Sequence, residues 1–199
     1  MDIFEIFTNS ILLIVRLDPE LWDIIILSLY VSFTALIFAS VFGFFIGYYL
    51  ALYNFFLKKI LLIFLNSLMG IPPVVVGLIV YFIFASGGPL GVLQLLYTPS
   101  AMIIAQTIII FPIIVSLSHE IFSKNWIEFK DQIRSLNIPF LGSAKLLFSH
   151  SYFLLITTLL SAFGRAISEV GAVMIVGGNI DHYTRVMTTA ISLETRMGN

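Results

Sequence analysis

Arg165 and Glu169 stand four residues apart at the end of a long apolar run. On a helix that spacing puts both side chains on one face, within reach of each other. Hydrocarbon does not solvate charge, so ionisable groups at membrane depth face protein or water. The pair therefore either lines a pathway or gate, or closes the end of a span as an interfacial salt bridge. Gly171 follows two residues later and admits a close neighbour. A second unusual feature is Pro72-Pro73, inside Ile71-Pro72-Pro73-Val74-Val75-Val76-Gly77. Two prolines remove two backbone donors and kink or unwind a helix. In lipid the freed carbonyls need protein or water as partners. The prolines thus mark either a broken helix beside a cavity, as in many transporters, or a simple kink. Pro112 adds another interruption, and Gly43 and Gly47 form a Gly-x-x-x-Gly that serves helix packing.

Other chemistry has no seat in the chain. There is no cysteine, so thiolate and disulfide chemistry are excluded. His119-Glu120 continues as Ile121-Phe122-Ser123 and does not complete a zinc-protease motif. His119, His150 and His182 are far apart, which makes a poor metal set. No nucleophile elbow and no phosphate-binding P-loop occur, so ATP hydrolysis by that route must come from elsewhere. We expect no catalytic residue, no metal and no cofactor in this chain. A net charge of −1 with no basic stripe excludes a nucleic-acid partner.

The elements that position these residues are membrane helices. Of 199 residues, 59% are hydrophobic and only 11% charged, too few to cover a water-soluble globule. A spanning helix needs about 20 apolar residues. Four stretches qualify: 24–53, 60–85, 99–117 and 146–167. Residues 1–20 hold only a short apolar run and read as an interfacial segment; Asp2 and Glu5 argue against a signal peptide. Lys58 and Lys59 fall in one connection, and Lys124, Lys130, Arg134 and Lys145 in another, while 86–98 carries no Lys or Arg. The basic connections are expected in the cytoplasm, with the N-terminus and 168–199 outside. The chain reads as one all-α polytopic membrane domain whose final span is expected to be missing after residue 199.

Residues 120–145 form the longest polar stretch. Phe122, Trp126, Phe129, Ile133 and Leu136 recur at three and four, which predicts a short amphipathic helix. Asn137 and Pro139 stop it, because Asn tolerates the left-handed conformation and Pro cannot continue a helix. Such a helix either docks on a partner as a lever or lies on the membrane surface.

Three stretches carry a family resemblance: Asn66–Tyr81 (NSLMGIPPVVVGLIVY), Gly87–Thr107 (GGPLGVLQLLYTPSAMIIAQT) and Phe163–Ile180 (FGRAISEVGAVMIVGGNI). The chain resembles the permease subunits of ATP-binding-cassette importers for oxyanions, most closely those for tungstate. The resemblance implies a type-I importer permease fold in the inner membrane. It implies a homodimer of permease copies, two ATPase subunits, and an extracytoplasmic tungstate-binding protein. Molybdate or sulfate is the alternative cargo within the class, and a stand-alone channel or secondary transporter the alternative outside it. The family's ATPase-docking loop carries an EAA-x3-G pattern. The corresponding residues here are Asp131, Gln132, Ile133, Arg134, Ser135, Leu136 and Asn137, with only the acidic character of the first retained and Asn in place of Gly. Pro72, Pro73, Arg165, Glu169 and Gly171 are the pathway or gate candidates.

Overall fold

The computed structural model describes residues 18–198. The segment expected at the interface, 1–20, lies outside them except for its last three residues. Within the described residues there are seven α-helices: α1 (Pro19–Leu52), α2 (Lys58–Leu68), α3 (Pro73–Phe84), α4 (Pro99–Ser135), α5 (Phe140–Ile167), α6 (Gly171–Gly177) and α7 (Met187–Met197). One 3-10 turn, Gly91–Leu93, interrupts the α3–α4 connection. The long helices begin where local chemistry favours it. Asp18 accepts from the Leu21 amide at 3.1 Å, and Pro19 occupies the first turn, where a missing donor does no harm. Thr98 and Pro99 start α4 in the same way.

Helices α1, α4 and α5 are each long and apolar enough to cross a membrane. The α2–α3 pair passes the same test jointly but is bent by 101° at its break. The distribution of side-chain size on α1 shows what surrounds it. Most of its buried residues are small (Ser28, Ser32, Ala35, Ala39, Gly43, Gly47, Ala51, beside Val31, Tyr48 and Leu50), whereas Ile37, Val41, Phe42 and Phe45 are exposed. Lipid tails are as apolar as those side chains, so membrane helices associate through close packing of small residues and leave large ones to the lipid. The protein is an all-α polytopic membrane protein.

Helix α4 is the centre of the bundle, lying against α1, α5, α2, α3 and α6. A Cβ on Gly43 would stand 2.8 Å from Ile114, and one on Gly47 would collide with Ser118 Oγ and come within 3.1 Å of the Val115 carbonyl and the His119 amide. The Gly-x-x-x-Gly is therefore an internal seam between α1 and α4. At one end of the bundle the C-terminal end of α1 meets the α4–α5 hairpin, where the Tyr48 hydroxyl pairs with Ser143 Oγ at 2.8 Å and donates to the Phe140 carbonyl at 3.1 Å. At the other end the Tyr97 amide donates to Val176 O at 2.8 Å, and the Met187 amide to Ser28 Oγ at 2.8 Å.

Helix boundaries differ from the sequence reading in three places. α4 runs unbroken to Ser135, so the span expected over 99–117 and the separate short helix after it are one element. The composition turns polar near Ser118, but no Pro or Gly lies between Ile113 and Leu136 to end the helix. α5 likewise starts at Phe140, before the expected 146. Residues 168–199, read as an outer segment, contain α6 and α7, and the Thr188 hydroxyl returns to the Glu169 carbonyl at 2.8 Å.

Gly47→Leu should force α1 away from α4, because two of its nearest neighbours are backbone atoms. A loss of about 1–3 kcal/mol is expected for overpacking, measured as a lower thermal unfolding midpoint of the detergent-solubilised protein.

Candidate functional site

The site grows out of the break between α2 and α3. After Leu68 the chain tightens into 3-10 turns: Met69 N to Asn66 O at 3.3 Å, Gly70 N to Ser67 O at 3.1 Å, Ile71 N to Leu68 O at 3.2 Å. These bonds cover carbonyls that the ended helix leaves open. Pro72 is extended (φ −59°, ψ 125°), and Pro73 begins α3 where no amide is needed. The two prolines thus produce a full break, not a kink.

The redirected α3 seats on α6 at near-backbone distance. A Cβ on Gly77 would lie 2.7 Å from Ala172 Cα, and one on Gly171 2.6 Å from Val74 Cγ2. Helix α6 is held from its other side by Glu169. That side chain is only 4% exposed, and its Oε1 accepts the Ala172 amide at 3.0 Å, capping the short helix. Its second oxygen lies 3.8 Å from Arg165 Nη1. This is an ion pair at longer than hydrogen-bond distance. Arg165 is 36% exposed and keeps donors free of Glu169. It lines a narrow cavity of about 50 Å³ together with Met69, Ile71, Val76, Ile108 and Pro112. Pro112 has no amide to give the Ile108 carbonyl, and both residues line the same cavity.

Of the five pathway candidates, the structure brings Arg165, Glu169 and Gly171 to the α5–α6 corner, facing the elements that Pro72 and Pro73 separate. The prolines are not in the cavity wall; their neighbours Ile71 and Val76 are. Sequence reasoning missed Gln106. It is 4% exposed, and its Nε2 donates to Ala166 O at 3.0 Å, fixing the end of α5 next to Arg165. The signal was available: an amide between Ala105 and Thr107 is conspicuous in an apolar span.

The second group of candidates lies at the α4–α5 hairpin. Ile138 N bonds to Ile133 O at 3.0 Å and Asn137 N to Arg134 O at 3.1 Å, the paired bonds of a Schellman motif. Asn137 takes the left-handed position, with φ 48°. Asp131, Gln132, Arg134, Ser135, Leu136 and Asn137 are exposed, and Ile133 is buried. The apolar stripe ahead of them faces protein: Phe122 stacks on Phe148 at 4.7 Å and on Tyr48 at 5.7 Å between ring centroids. It is therefore not available to lie on a membrane surface. Beside the hairpin is an open cavity of about 480 Å³ lined by Leu52, Tyr53, Trp126, Arg134, Asn137 and Phe140.

A membrane protein with this broken span, charged corner and polar hairpin has known counterparts. The chain is 41% identical over 197 residues to the tungstate uptake system permease protein TupB of Peptoclostridium acidaminophilum, covering 99% of this chain and 86% of that protein. It is 36% identical over 201 residues to the protein of the same name from Campylobacter jejuni, covering 98% and 82%. A probable anion ABC transporter permease protein of Haloferax volcanii is 39% identical over 177 residues, covering 86% and 76%. The chain belongs to the ABC anion-uptake permease family. No protein-family model matches it. As a member of this permease family it is a transport protein of the cell membrane.

Asn137→Gly should leave this permease as stable as the parent, since Gly accepts the left-handed region freely. Asn137→Val should lose about 1–2 kcal/mol from the same position. Thermal melts of the two variants in detergent check both.

Proposed function

We propose that the chain is the membrane-spanning subunit of a tungstate importer. The observation that carries this reading is the 41% and 36% identity, over nearly the whole chain, to two permeases named for tungstate uptake. Two copies of the chain form the pore. An extracytoplasmic binding protein delivers the anion to the end that holds the N-terminus of α1 and the loop before α7. Two ATPase subunits grip the α4–α5 hairpins at the other end, in the cytoplasm, through Asp131 to Asn137. The charge distribution supports that orientation, because Lys58, Lys59, Lys124, Lys130, Arg134 and Lys145 all belong to the hairpin end.

Within the membrane, the reading assigns Arg165 the role of meeting the anion at the α2–α3 break. Its long pairing with Glu169 holds the guanidinium in place without saturating its donors. The hold on the anion must be loose, since an importer that bound tightly in the pore would not release. ATP-driven approach of the ATPase subunits moves the hairpins and switches the pore between outward- and inward-open states.

The test is uptake of labelled tungstate by the reconstituted complex, with ATPase subunits and binding protein present and with molybdate and sulfate as competitors. ATP-dependent tungstate uptake is expected. Uptake without the ATPase would sink the importer reading, and preferential displacement by sulfate would sink the cargo. Arg165→Met should assemble normally and reduce uptake about a hundredfold, the usual scale for removing one partner of a desolvated charge contact. Normal uptake by that variant removes Arg165 from the path.

A further inference from the structure

Below the Arg165 cavity, towards the hairpin end, a second cavity of about 470 Å³ opens between α2 and α4. Asn66, Ser116, His119, Glu120 and Ser123 supply its polar wall, and Leu62, Met69 and Leu117 the rest. Met69 is shared with the Arg165 cavity. On α4 the lining residues of the two cavities are Ile108, Ile109, Pro112, Ser116, Leu117, His119, Glu120 and Ser123, and all but Leu117 recur at three and four. They form one helix face, so the two cavities follow one another along it.

One polar group of this wall is left unsatisfied by the fold. Other hydroxyls on these helices turn back to the carbonyl four residues earlier, as Ser28 does to Ile24, Ser40 to Leu36, Thr107 to Ile103 and Thr158 to Leu154. Ser116 does not: it is 8% exposed, and its hydroxyl has no partner. A buried hydroxyl left unpaired is unfavourable by about 1–3 kcal/mol unless something that enters the site completes it. His119 Nε2 pairs with Ser123 Oγ at 3.1 Å. Apart from Glu120, the polar wall consists of neutral side chains that can each donate a hydrogen bond.

We propose that this cavity is the inward vestibule of the permease, a weak site in which a tetrahedral oxyanion leaving Arg165 is solvated by Asn66, Ser116, His119 and Ser123 before release. The proposal rests on the importer reading above and deepens it. Neutral donors replace part of the anion's hydration shell without the full charge that would trap it. Glu120, exposed at the cavity's edge, repels the anion and shortens its stay. Unlike the Arg165 cavity, this one has no Lys or Arg in its lining, which gives the path a direction. The size and neutral lining do not distinguish tungstate from molybdate, so the vestibule is a general oxyanion compartment.

The chain contains no cysteine, so single thiols can be introduced without background on it. Ser116→Cys is nearly isosteric, and Asn66→Cys probes the opposite wall. Inside-out vesicles holding the complete complex are treated with a membrane-impermeant anionic methanethiosulfonate, and labelling of this chain is read by mass spectrometry. Ser118→Cys, fully buried against Gly47, is the unlabelled control. Labelling is expected at Ser116→Cys or Asn66→Cys, and tungstate at ten times its half-protecting concentration should slow it about tenfold. Protection at either position supports the vestibule. Labelling without protection, or none at both positions, overturns it. Tungstate uptake by the wild-type complex in the same vesicles is scored separately: its absence counts against the importer reading, while wild-type uptake with no protection counts against the vestibule alone.

Discussion

A backbone that loses two successive amide donors at membrane depth must be covered by protein, because lipid offers no substitute. Much of the functional half of this molecule follows from that constraint at Pro72-Pro73. The 3-10 turns over Asn66–Ile71 take up part of the deficit. The rest is met by turning the chain through 101° so that α3 lies on α6. That contact is possible only because Gly77 and Gly171 bring no side chain to it. The short α6 would not persist alone, since a single helical pair of turns is below the length at which helices are stable. Glu169 caps it, Thr188 binds the Glu169 carbonyl, and Thr184 accepts the Ile180 amide while donating to Gly177 O at 2.6 Å. The buried Glu169 side chain thus has a structural task, the capping of α6. Arg165, its partner, is left partly exposed at the break.

The same logic of close approach organises the rest of the bundle. Without a hydrophobic drive between helices, the α1–α4 seam depends on Ala35, Ala39, Gly43 and Gly47 meeting α4 at short range. Polar contacts add specificity where helices diverge: Gln106 to the Ala166 carbonyl, Asn125 to Ser151, and Tyr48 to Ser143. Each joins residues distant in sequence on two different helices.

The membrane class and most spans were legible because length and apolarity are one-dimensional signals. The left-handed turn at Asn137 was legible too, since Asn followed by Ile138-Pro139 leaves the chain few alternatives. The course of α4 was not. The polarity change near Ser118 marks a change of surroundings, and polarity says nothing about whether the backbone continues. Nor was the depth of the break at Pro72-Pro73 readable, because a kink and a right-angled break use the same letters; Gly77 and Gly171, distant in sequence, decide between them by allowing α3 to dock. Gln106 and Ser116 were missed for a related reason. A lone polar residue in a span acquires meaning only from the carbonyl or cavity that a different helix places beside it.

The unbroken α4 changes how the hairpin and the Arg165 region are connected. At 1.5 Å per residue its 37 residues extend about 55 Å, against about 30 Å for the hydrocarbon core. One rod therefore reaches from the Tyr97 end of the molecule, past the break, to Asn137. A separate short helix joined by a flexible linker would let the hairpin move without disturbing the span. A continuous helix does not, except where its hydrogen-bond ladder is weakened. That place is Pro112, the proline in the interior of α4. It lies in the cavity that Arg165 lines, and Tyr48, Phe122 and Phe148 clamp the rod between there and the hairpin. On the proposed reading, a displacement of the hairpin would be delivered as bending at Pro112, at the level of the charged corner, where a small change in angle would alter the opening between α4 and the α2–α3 break.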